Sequence, residues 1–130
     1  MFDHVEFEVG RIEASRLFYR AVIEALGLEE IALDDGAGVA AFGHGPAVAA
    51  GTASPLLRLT EGAPVTPRMH LCLRAPSKEA VAAAHAAGLL HGGRDNGAPG
   101  YRDAYMPGYY AAFMYDPDGH NLEFLYREPR

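Results

Sequence analysis

The chain has 130 residues, 49% hydrophobic and 22% charged, with 17 Asp+Glu against 11 Lys+Arg. This suits one folded domain and leaves no room for two independent cores. The net charge of -6, a single lysine and the lack of any basic run argue against a nucleic-acid partner. No apolar run has the length of a membrane span, the start lacks a basic, apolar leader, and the lone Cys72 excludes an internal disulfide. The expectation is a cytoplasmic protein with no membrane attachment.

In chain order, Phe2 to Val9 alternates strictly. Val5, Phe7 and Val9 fall on one face of a strand, and His4, Glu6 and Glu8 on the other. Ala14, Leu17, Phe18, Ala21, Val22 and Ala25 then recur at helical spacing, predicting a helix over about 13–26 that Gly27 stops. Three short strands are expected near 28–34, 38–44 and 55–60. The Asp34-Asp35-Gly36 turn and the Gly43-His44-Gly45-Pro46 break separate them, and a Pro/Gly link from Glu61 to Pro67 follows.

The order then repeats. Met69 to Arg74 alternates, with His70, Cys72 and Arg74 opposite Met69, Leu71 and Leu73. Ser77 is placed to cap an alanine-rich helix running to Gly88. Gly92 to Gly100 reads mainly as a glycine-rich loop suited to a lid, with a weak strand near 92–97. A strand near 109–115, the turn Asp116-Pro117-Asp118-Gly119 and a strand from Asn121 to Tyr126 complete the chain. Leu122, Phe124 and Tyr126 should face the core, and Asn121, Glu123 and Leu125 away from it. The whole reads as one α+β domain of two βαβββ modules, 1–62 and 67–130, rather than a ferredoxin-like sandwich with fewer strands per helix.

His4 and His70 hold matching positions on the first strand of each module, away from the core, and Glu123 lies on a non-core face of the last strand. Two imidazoles and a carboxylate on one side of a sheet would hold a divalent ion, Fe, Mn, Ni or Zn, with open coordination positions. Around them, Arg74, Tyr105 and Tyr109 are candidates to act on a substrate, and Tyr101, Tyr110 and Leu57 to line it. Cys72 reads as a space-filling residue, His85 as a packing or surface residue, His120 as structural or exposed, and His44 and His91 as turn residues. Glu6 and Glu8 are either partners of His4 or solvated rim residues.

Three stretches carry a family resemblance: Asp3-His4-Val5, Ala14 to Tyr19, and Asp116-Pro117-Asp118-Gly119-His120-Asn121-Leu122-Glu123. Across essentially its whole length the chain resembles the vicinal oxygen chelate superfamily of glyoxalase I, bleomycin-resistance proteins, fosfomycin-resistance enzymes and extradiol dioxygenases. The resemblance implies paired modules whose sheets curl into an open, cup-shaped mixed β-sheet, with His4, His70 and Glu123 at metal-ligand positions. It also implies a small-molecule substrate and a homodimer, in which His4 of one chain can complete the site of another. The fourth ligand of glyoxalase I has no match. Counting from His4 as Glu123 counts from His70 lands on Leu57, between Leu56 and Arg58. That leaves a dioxygenase-like reaction as the leading expectation, a lyase or transferase of the same superfamily behind it, and a metal-free antibiotic-binding resistance protein as the rival.

Overall fold

The computed structural model describes residues 2–32, 36–63 and 69–129. The expected turn at Asp34-Asp35, the last two residues of the strand expected over 28–34, and the link residues Pro64 to Pro67 lie outside the described residues. The element order is β1 (Val5–Val9), α1 (Ile12–Ala25), β2 (Glu29–Ile31), β3 (Val39–Gly43), α2 (Gly45–Ala49) and β4 (Leu57–Glu61). It continues with β5 (His70–Arg74), α3 (Lys78–Leu90), β6 (Arg94–Tyr101), β7 (Tyr109–Tyr115) and β8 (Asn121–Arg127).

The strands form two four-stranded mixed sheets, ordered β1-β4-β3-β2 and β5-β8-β7-β6. In each, the first and last strands of the module pair in parallel and the rest antiparallel. The sheets share no strand ladder among the described residues, so β1 and β5 remain outer strands and the cup is not closed within one chain. Helices α1 and α3 pack against each other between them.

Local chemistry accounts for the helix ends. Gly27 has φ of 84°, and Gly27 N–H and Leu28 N–H bond the carbonyls of Glu24 and Ile23, a Schellman stop that a side chain would strain. Ser77 Oγ accepts from Ala80 N–H at 3.1 Å, the expected N-cap. His44 caps the short helix α2, which stands where the sequence predicts only a break between strands; its Nδ1 accepts from Ala47 N–H at 3.2 Å.

Two expectations about helix faces change. The buried stripe of α1 is Ile12, Ser15, Phe18, Tyr19, Val22 and Ile23, whereas Leu17 is 46% exposed. Tyr19, outside the expected apolar stripe, is fully buried and its hydroxyl donates to Asp116 at 2.6 Å. Helix α3 continues past Gly88 to Leu90 because Gly88 is a packing residue: a Cβ there would lie 2.3 Å from Met114 Sδ and 3.1 Å from Val22.

The stretch expected mainly as a loop is strand β6. Its pairing with β7 slips between Asp95 and Gly97 and again between Gly97 and Gly100, which are bulges. Gly97 has φ of 151°, and Pro99 is tolerated because β6 is an edge strand with one unpaired side. With its backbone in the sheet, this segment is not the lid that its glycines suggested.

The Asp116–Asn121 turn joins the modules. Asp116 accepts from Tyr19 of α1 and from the backbone N–H groups of Asp118 and His120, at 3.0 and 2.8 Å. Asp118 accepts from Gly10 N–H at 3.2 Å, and Phe7 meets the His120 ring edge-on with centroids 5.4 Å apart. His120, 1% exposed, also accepts from Met69 N–H at 3.2 Å, so it is structural.

Candidate metal and substrate site

In the second sheet, Leu71, Leu73, Leu122 and Phe124 turn toward the helices, as expected from their alternation. The opposite face carries the chemistry. Register fixes its layout: Cys72 lies beside Glu123, His70 beside Asn121, and Phe113 on the far side of Glu123. Arg74 and Tyr109 stand further along the same face.

Glu123 is 4% exposed, and its carboxylate is held by surrounding donors. Tyr109 Oη donates to Glu123 Oε1. Asn121 Nδ2 donates to His70 Nδ1 at 3.2 Å, which leaves the proton of the half-exposed imidazole on Nε2, and this donates to Glu123 Oε2 at 2.9 Å. Burial first, then the Glu123 charge and hydrogen bond, push the Cys72 thiol up to about 12. The same two causes, burial and Glu123, raise the Tyr109 phenol well above the usual tyrosine range. Both groups therefore keep their protons at neutral pH. Cys72 was expected to fill buried space; the residue is exposed on this face, while its thiol lies against Glu123 and is partly shielded from water.

Tyr105 packs edge-on against Tyr109 with centroids 5.4 Å apart. With His70, Asn121, Phe113 and Arg102 it lines a depression of about 480 Å³. Tyr101 and Tyr110 do not join it. They pair across β6 and β7 on the opposite face, where Lys78 Nζ donates to Tyr101 Oη at 2.9 Å and lies 6.0 Å from the Tyr110 ring centroid. Adjacent residues of a strand point to opposite faces, so Tyr110 cannot share the face of Tyr109.

His4 stands apart from His70 and Glu123, just ahead of β1 in the other sheet. Its Nδ1 bonds Asp3 Oδ1 at 2.7 Å, leaving Nε2 outward. That bond from His4, with a smaller one from Ser54, holds the Asp3 carboxyl below the usual range. Among the described residues no group of three or more His, Cys, Asp or Glu side chains is placed to hold a metal. One chain thus brings together two of the three expected ligands.

The register also corrects the counterpart of Glu123. As Cys72 pairs with Glu123, the matching residue of β1, Glu6, pairs with Arg58. Counting by chain length reached Leu57 because the first module is one residue longer between these points. Leu57 is 1% exposed and faces the core, so it cannot line a substrate on the opposite face. Arg58 Nη1 donates to both Glu6 oxygens, at 3.1 and 3.2 Å.

Asn121 and Asp3 were missed in the sequence because each acts on a histidine, His70 and His4, through a hydrogen bond. Their signal was position, beside His70 across the ladder and directly before His4. Of the two alternatives for His85, packing holds: it is buried and bonds Asp95 at 3.0 Å, while His91, just after α3, donates to Ala87 O at 2.8 Å.

A family model described as the Glyoxalase/Bleomycin resistance protein/Dioxygenase superfamily matches residues 1–124. Among solved structures, a glyoxalase/bleomycin resistance protein from Albidiferax ferrireducens T118 is 29% identical with a TM-score of 0.73, covering 98% of this chain and 99% of that one. A glyoxalase/bleomycin resistance protein/dioxygenase family enzyme from Burkholderia phytofirmans PsJN is 16% identical, with a TM-score of 0.71 over 97% and 98% of the two chains. A glyoxalase I mutant from Zea mays is 23% identical with a TM-score of 0.64, over 94% of this chain and 45% of that one. No functionally curated protein matches at a comparable level of significance. No helix among the described residues is long and apolar enough to cross a membrane. Its sequence, its two sheets and these likenesses together make the chain a member of the Glyoxalase/Bleomycin resistance protein/Dioxygenase superfamily.

Proposed function

We propose that this protein is a divalent-metal-dependent enzyme of the dioxygenase type, acting on a small molecule that offers two adjacent oxygens, and that its site is built between two copies of the chain. The observation that carries this reading is the His70–Glu123 pair, an imidazole nitrogen 2.9 Å from a carboxylate oxygen on an open sheet face. His4 of a second copy completes a two-histidine, one-carboxylate set that leaves coordination positions for substrate and a second small molecule.

Three features support the donors. Asp3 holds the His4 ring by Nδ1, the arrangement that orients an imidazole to ligate through Nε2. Ligation by His70 Nε2 requires its proton on Nδ1, and turning the Asn121 amide would present the oxygen that accepts it. The outer strands β1 and β5 each have one edge with no strand partner among the described residues, and the apolar groove of about 670 Å³ between them, lined by Val5, Leu56, Met69 and Leu71 and flanked by exposed Phe2, suits a second copy. The bound ion would act as Lewis acid and template, neutralising the charge of the chelating oxygens. The chain's own residues do the rest. Tyr109 holds its proton toward Glu123 and keeps that carboxylate in one orientation, Phe113 and Tyr105 wall off water, and Arg74 orients the substrate. Arg58, where a fourth carboxylate would stand, argues against the glyoxalase I reaction, which needs a base there.

Metal analysis of the purified, stripped and reloaded protein tests the proposal, together with oxygen uptake on catechols. About one Fe, Mn, Ni or Zn per chain is expected, lost in His70→Ala and in Glu123→Ala. No metal under any loading condition would overturn it. The apolar groove would then favour a metal-free small-molecule binder, and ligand screens would replace activity assays.

A further inference from the structure

Four cations of this acidic chain are held by carboxylates. Arg16 and Arg20 pair with Glu30, Arg58 with Glu6, and Lys78 with Glu128. The site face of the second sheet differs. Arg94, Arg102 and Arg127 lie there over the rings of Tyr115, Phe113 and Tyr109, at 5.4, 5.5 and 5.1 Å. Among the described residues none of the three meets a carboxylate at ion-pair distance, and Arg74 makes no side-chain hydrogen bond or ion pair at all. Arg102 is already engaged by Ala98 O at 2.7 Å, and Arg127 has only the weak acceptor Met106 Sδ. Glu123, the one buried carboxylate on this face, is committed to His70 and Tyr109.

Position sharpens this. Arg74 lies two residues along β5 from Cys72, which pairs with Glu123, so it stands about 7 Å along the strand from the proposed chelating end. Arg127 lies on β8, the strand next to β5, two residues beyond the Leu125 that pairs with Arg74, and beside Tyr109 of β7, so it flanks the same end of the face. A planar guanidinium with no partner, near a partly buried floor, is suited to bidentate recognition of an oxyanion.

We infer that Arg74, assisted by Arg127, forms a subsite for a carboxylate carried by the substrate, so that the substrate is a small acid whose anionic group lies about 7 Å from its chelating oxygens. The chelating end rests on the metal-site reading above, whereas the carboxylate subsite belongs to the chain alone and operates with or without metal.

The test is titration calorimetry with 3,4-dihydroxybenzoate, its methyl ester and catechol, on protein stripped of metal and on protein loaded with Mn(II). The acid should bind at least about tenfold more tightly than the ester in both forms, the value of one charge-assisted hydrogen-bonded contact. In Arg74→Ala that preference should vanish while ester affinity and oligomeric state stay as in the wild type, with Arg20→Ala as the unaffected control. Equal binding of acid and ester, or a preference that survives Arg74→Ala combined with Arg127→Ala, would overturn the inference. So would dissociation of the oligomer in Arg74→Ala with the acid preference intact, which would assign these arginines to the subunit contact. A protein that binds no Mn(II) yet keeps its arginine-dependent acid preference would sink the metal-site reading and uphold the subsite.

Discussion

The two modules share one topology and differ on the face turned away from the helices. In the first sheet that face carries Glu6, Glu8 and Glu29 with the paired Arg58. In the second it carries His70, Cys72 and Glu123 among arginines stacked on aromatic rings. The cores of the two sheets are alike, rows of Val, Leu, Phe and Ala against a helix. The shared packing demands keep the two scaffolds alike, and the outward positions, free of those demands, differ. Glu123 and Arg58 occupy matching places with opposite charge, so only the second module offers an anionic ligand there.

Breaking the contact that joins the modules should have the largest effect. Asp116→Ala leaves the buried Tyr19 hydroxyl and two backbone N–H groups without an acceptor, and should cost about 3 kcal/mol in urea unfolding, with Tyr19→Phe costing about half as much. Gly88→Ala, which drives a methyl into Met114 and Val22 where α3 meets α1, should cost about 1–3 kcal/mol. A loss near zero in either would show that the modules do not depend on this junction.

The electrostatic contrast can be read at Cys72 in metal-stripped protein. Its thiol, held up to about 12 by burial and then by Glu123, should alkylate slowly with iodoacetamide at pH 8 and faster as pH rises toward that value. Glu123→Gln removes a negative charge, so the thiol pKa must fall and the rate at pH 8 must rise, by about tenfold for each unit of fall below the wild-type value. An unchanged rate would mean that the carboxylate does not govern the thiol. The smallest effect belongs to the first module: Arg58→Ala removes a partly exposed ion pair with Glu6 and should cost less than about 1 kcal/mol, with metal content unchanged.

Much of this was legible in the sequence because strict alternation decides faces. The strand assignments of His70, Leu71, Cys72, Leu122 and Glu123 follow from period two, and the helix stop at Gly27 and the cap at Ser77 from local hydrogen bonding. Other features were hidden for equally physical reasons. Tyr19 is polar in composition but buried by a partner 97 residues away. Strand β6 has the composition of a loop, and its bulges place glycines where a paired edge needs them. Arg58 was concealed by a one-residue difference in module length that only the ladder register reveals. The separation of His4 from His70 was invisible, because alternation assigns a face within a sheet and does not say which two sheets meet.

That separation is the point on which the account turns, and mixing two inactive variants tests it most directly. If His4 of one copy meets His70 and Glu123 of another, His4→Ala and Glu123→Ala proteins should each retain almost no metal. Unfolding and refolding them together should restore about a quarter of the wild-type content, since half of the random dimers then carry one intact site of two. Recovery to that level is the predicted result. A mixture as empty as its components, in a protein whose wild type binds metal, would contradict a site shared between chains.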